Sequence, residues 1–150
     1  TLYTDPAEIE TGLAAARALA LAWQAHLVGY PTLALVAAIA RAAGNGSAPV
    51  GVAMTGGHGE WFVEQLAADG SIMVPLRSCS PDQATQLIDA AVVAGSQAEA
   101  LIAGRGNGSA LPIWPDARAF CDLPGSALSS SVAPIYGRAP DAKLPESKAL

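Results

Sequence analysis

The chain has 150 residues, 51% of them hydrophobic and 14% charged, which suits one domain or two small lobes with a real core and excludes wholesale disorder. Thirteen acidic against eight basic residues leave a net charge of -5, so no positive field exists to hold a phosphate backbone unaided.

From the N-terminus, Asp5-Pro6-Ala7-Glu8 reads as a helix start, with Asp5 as cap, Pro6 at the first helical position and Glu8 where a capping box places its carboxylate. The helix is expected to run to Trp23. After Gly12 it is apolar almost all the way round, with Arg17 its single charge, so one face can meet a core while another needs a second partner. His26 to Tyr30 reads as a short strand, with His26 a structural residue. Pro31 opens a second helix, Thr32 to Ala43, closed by Gly44-Asn45-Gly46. The apolar stretch Leu13 to Ala40 is broken by Arg17, Gln24, His26 and Pro31, which excludes a membrane span.

The composition break at Gly44 to Ala48 marks the expected lobe boundary: 1–47 a first α/β lobe, 48–145 a second, 146–150 a frayed tail. Val50 to Met54, Glu60 to Ala67 and Ile72 to Leu76 read as an antiparallel meander, turned at Thr55-Gly56-Gly57-His58-Gly59 and Asp69-Gly70. Ser80-Pro81-Asp82-Gln83 and Ser96-Gln97-Ala98-Glu99 fit the capping-box pattern for two helices, and Ala90 to Ala94 between them a short buried strand. Asp116 to Leu123 reads as a weaker helix, followed by a serine-rich loop from Pro124 to Ala133.

Chemistry is sparse. No GxSxG elbow is present, and Cys79 or Cys121 offers no spacing with His58 that defines a nucleophile and base. Two cysteines 42 residues apart, without a CxxC pair, indicate reduced thiols and neither a disulfide framework nor a zinc site. Gly104-Arg105-Gly106-Asn107-Gly108 lacks a following GK[ST] and reads as a flexible surface loop. Asp5, Glu8 and Glu10 fill the start of the first helix with negative charge, which repels phosphate. No metal or cofactor site is expected, and association is the activity these residues suggest.

Four parts of the chain together resemble one family. Gly12-Leu-Ala-Ala-Ala-Arg17-Ala-Leu-Ala20, with Leu27-Val-Gly29 and Thr32-Leu33, is similar to the helix, strand and helix of bacterial TsaB proteins. Val52-Ala53-Met54 through Gly59-Glu60-Trp61-Phe62 resembles their hairpin, and Ala94-Gly95-Ser96-Gln97-Ala98 their GSGA turn. Pro134-Ile135-Tyr136-Gly137-Arg138-Ala139-Pro140-Asp141-Ala142-Lys143-Leu144-Pro145 resembles the family's C-terminal signature.

The resemblance implies an α/β fold of actin-like (ASKHA-type) two-lobe architecture with the first lobe incomplete. It implies a non-catalytic cytoplasmic subunit that pairs with TsaD and, with the ATPase TsaE, supports threonylcarbamoyl transfer to the tRNA adenosine beside the anticodon. Contact with tRNA would come only through the complex, and a homodimer is a further expected pairing. The matched helix then supplies the partner interface, at Gly12, Leu13, Ala16, Arg17, Ala20 and Trp23.

Two rival readings stand beside it. One is a small hydrolase or acyltransferase of the same superfamily, M22 peptidase-like, with its site between the lobes. The other is a decayed fragment. The segment Leu2 to Gly12 lacks the family's glycine-rich loop and carries Glu10 where arginine is usual; Thr55-Gly56-Gly57 replaces its Asp-Ala-Arg. The opening strands of the first lobe are missing and no initiator methionine is present, so the chain is expected to start within a longer reading frame and to self-associate through uncovered apolar surface.

Overall fold

In the computed structural model of the chain, residues 6–137 are described. Five strands form one mixed sheet in the order β3-β2-β1-β4-β5. β1 (Val50–Thr55) is central because its apolar run, Val-Gly-Val-Ala-Met, can be buried on both faces. It pairs antiparallel with β2 (Trp61–Leu66) and parallel with β4 (Val92–Ala94), while β3 (Ile72–Cys79) and β5 (Ser109–Leu111) form the edges. Pro75 lies on the edge strand β3, where a missing N–H costs no ladder bond, and the β2–β3 register shifts around Gln65.

Each face of the sheet is closed by helices. Val50, Val52, Met54, Leu66 and Ala94 pack under Leu33, Val36, Ala37 and Ala40 of α2 (Thr32–Ala40). Ala53, Val63, Cys79 and Val93 pack with Ala84 of α3 (Pro81–Leu87), Ile88, and Ala98 and Leu101 of α4 (Ala98–Arg105). Gly51 is required beneath α3, since a Cβ there would overlap Cγ2 of Ile88.

α2 is apolar on every side and buried at Leu33, Ala34, Leu35, Val36, Ala37, Ala38 and Ala40. Such a helix is stable only when enclosed. The sheet covers one side, and a 3₁₀ helix (Ala117–Asp122) packs against another. Phe120 of that helix meets Tyr30 at 5.6 Å between ring centroids. Asp116 caps it by accepting from the Arg118 amide, and the Arg118 guanidinium bonded to the same carboxylate holds it down to about 2.

Buried polar groups stitch the layers. The side-chain oxygen of Gln65 accepts from the amides of Asp89 and Ala90, while its Nε2 donates to Asp89 Oδ1 at 2.7 Å, so one residue of β2 fixes the α3–β4 connection. Glu64, on the opposite face, is only 5% exposed, and burial pushes its carboxyl above the ordinary glutamate range. The sign follows: a raised carboxyl favours folding while protonated, and that contribution is lost as pH rises from the unfolded value through the folded one. Glu64→Gln is therefore expected to be more stable than the natural chain at pH 7, with the difference shrinking as pH falls below the ordinary glutamate range, as read by thermal melts across pH.

The structure corrects several expectations. In place of a strand at His26 to Tyr30 there is only an isolated bridge, Gly29 to Ser129, because no neighbouring strand lies beside this segment to extend the ladder among the described residues. The second helix is α-helical to Ala40 and widens to a π-helical turn over Arg41–Asn45, with the expected closure at Gly44, φ 116°. There the Arg41 guanidinium donates to the carbonyls of Ala67 and Leu66, clipping this turn to the β2–β3 hairpin.

β3 runs on to Cys79, three residues past the expected end. Residues 116–123 form a 3₁₀ rather than an α-helical turn. The capping box at Ser80 is present, with Ser80 and Gln83 exchanging bonds. The one at Ser96 is not: α4 starts after Gln97 without a side-chain cap, and the Ser96 hydroxyl bonds Thr55 instead. α2, assigned by sequence to the first lobe, packs on the sheet assigned to the second. The Asp5 cap, the signature from Arg138 onward and the tail lie outside the described residues.

Candidate functional site

α1 (Pro6–Trp23) carries Glu8, Glu10 and Arg17, is apolar otherwise after Gly12, and differs from α2 in setting. Its half-buried side chains are Ile9, Leu13, Ala16 and Ala20, spaced four, three and four apart, which is one stripe of a helix. Ala16 and Ala20 of this stripe lie beside the returning segment at His26 and Leu27. Arg17 beside it donates Nη2–H to the Val132 carbonyl at 2.6 Å, so the helix's central charge is spent within the chain. The helix ends in a left-handed residue, Gln24 with φ 50°, and the Ala25 amide bonds the Ala20 carbonyl, a Schellman closure that turns the chain back along α1.

On the other side Thr11, Ala14, Ala15, Ala18, Leu21 and Ala22 are exposed, and no charge interrupts them. Leu21 is 83% exposed and Trp23 71%. Between the helix and the returning segment lies a groove of about 270 Å³, lined by Ala16, Leu19, Ala20, Trp23, His26 and Leu27. His26, expected to be a satisfied structural residue, is exposed at this groove.

Of the six residues expected at an interface, Leu13, Ala16 and Ala20 belong to the half-buried stripe, Ala16, Ala20 and Trp23 line the groove, Arg17 is exposed and bonded to Val132, and Gly12 is exposed. Leu21 and Leu19 were not singled out by sequence. Nothing local could separate them from Leu13, since a helix apolar on all sides has no pattern to read.

Polar side chains also gather at two places on the sheet. At the carboxyl end of β1, Thr55 is bonded by the Ser96 hydroxyl and by Nε2 of Gln97 at 2.8 Å, while the Gln97 amide donates to the Ala53 carbonyl. These bonds tie the end of β1 to the turn before α4. A second cavity, about 550 Å³ between β3 and α3, is lined partly by Arg77, Ser78, Cys79 and Gln86. Cys79 is buried there, and burial together with nearby Glu60 pushes its thiol up, away from the reactive thiolate.

Cys121 is free and exposed. His58 sits in the β1–β2 turn with φ 57°, next to Gly59 with φ 79°; these two residues, rather than Gly56 and Gly57, take the left-handed backbone. The loop at Gly104 to Gly108, expected to be flexible, is pinned by three hydrogen bonds from Arg105. Among the described residues no cluster of three or more His, Cys, Asp or Glu could hold a metal, and no helix is long and apolar enough to cross a membrane.

No family model matches the chain, and no curated protein does. Solved structures do. A crystal structure of an uncharacterized protein with similarity to peptidase YeaZ from Pseudomonas aeruginosa superposes with a TM-score of 0.70, over 89% of this chain and 69% of its own, at 16% identity. YeaZ from Pseudomonas aeruginosa superposes with a TM-score of 0.61, over 76% of this chain and 57% of its own, at 19% identity.

The fold is actin-like. At such identities the likeness establishes the YeaZ-like fold and leaves activity to be argued from the surface. The chain spans 69% and 57% of the lengths of these two structures.

Proposed function

We propose that the chain works by association: a non-catalytic, TsaB-like cytoplasmic subunit that pairs through α1 with a TsaD-like catalytic subunit. A TsaE-like ATPase and tRNA would then be met only through the complex that transfers the threonylcarbamoyl group. One observation carries this reading. α2 is enclosed on its sides, whereas α1, apolar after Gly12 but for Arg17, leaves Leu21 and Trp23 largely in water. Exposed apolar surface of this kind marks a protein interface. The small side chains at Ala14, Ala15, Ala18 and Ala22 would let a partner helix approach closely.

The test separates the two faces of the helix. Leu21→Asp is expected to weaken co-purification with a TsaD-like protein at least about 30-fold, the equivalent of roughly 2 kcal/mol, with an unchanged melting temperature. Leu13→Asp, on the half-buried stripe, is expected to lower the melting temperature as well. Full binding by Leu21→Asp overturns the assignment of α1. Sedimentation of the chain alone distinguishes pairing with a second copy, in which case Leu21→Asp breaks the homodimer.

A hydrolase reading, prompted by the word peptidase attached to a structural neighbour, requires a nucleophile. Turnover of a peptide or ester by the purified chain, lost on Cys79→Ala or Ser78→Ala, would establish it in place of the association reading.

A further inference from the structure

We draw no further inference here: the strongest candidate, the uncharged outward stripe of α1 around Ala18 and Leu21, belongs to the surface already proposed for pairing, and nothing in the structure shows what covers it.

Discussion

Gly95→Ala is expected to cost about 4 kcal/mol or more, enough to lower the melting temperature by about 12 °C or to prevent recovery of folded protein. Gly95 follows β4 and turns the chain into α4 with φ 119°, a region L side chains rarely occupy. A Cβ there would overlap the Ala53 carbonyl oxygen and come within 2.6 Å of Met54 Sδ. Neither neighbour can yield: Ala53 and Met54 are fully buried in the central strand, and the Ala53 carbonyl already accepts from the Gln97 amide. Strain and overlap therefore add, and the start of α4 moves with them.

The control is Gly12→Ala. Gly12 lies within α1, has no heavy atom within 4 Å of its would-be Cβ, and is expected to gain up to about 1 kcal/mol of helix propensity. Circular dichroism melts of both variants decide the matter. A Gly95→Ala protein melting within about 3 °C of the natural chain would refute the packing described for this turn.

The second large effect is expected at Arg105. Its Nη1 donates to the Ile88 carbonyl at 2.6 Å, Nη2 to the Ala90 carbonyl at 2.7 Å and Nε to the Asn107 carbonyl at 3.1 Å. One guanidinium thus joins the end of α3, the entry to β4 and the turn into β5, while its charge sits at the C-terminal end of α4, where the helix dipole favours it. Arg105→Ala leaves three carbonyls without their donor and is expected to cost about 3 kcal/mol. Arg105→Lys recovers only part, because an ammonium group cannot span three acceptors held in a guanidinium's geometry. Urea midpoints with unchanged m-values report the loss, and hydrogen exchange is expected to rise first in β4 and β5. A change below about 1 kcal/mol for Arg105→Ala would mean that the α3–β4–β5 junction is held by packing alone.

Both positions lie in stretches that sequence reading treated as loops or as parts of a motif. Arg105 stood inside a run of glycines that looked flexible, since its partners are carbonyls 15 and 17 residues away and a carbonyl carries no signature of side-chain type. Gln65 was equally silent, because its partners at Asp89 and Ala90 become neighbours only once β2 and β4 flank β1. Ser96 satisfied a capping rule and was diverted: its hydroxyl accepts from the Thr55 amide at the end of β1, and α4 starts without a side-chain cap. The strand expected at His26 to Tyr30 had the right residues, yet a strand exists only through its neighbours, and this one has a single bridge to Ser129.

What the order of residues determined unaided was everything governed by local chemistry and burial pattern. The apolar run of β1, the turns at Asp69-Gly70 and Gly56 to Gly59, the Ser80 box and the α/β class follow from periodicity, glycine and capping, each decided within a few residues. The greasy character of α1 and α2 was equally plain. Tertiary structure alone decided which of them is enclosed and which faces water, because enclosure depends on elements far away in the chain: the sheet and the 3₁₀ helix at Ala117–Asp122 reach α2 and leave the side of α1 bearing Leu21 open. A helix apolar on every side carries no record of which side is covered, and only the packed chain supplies it.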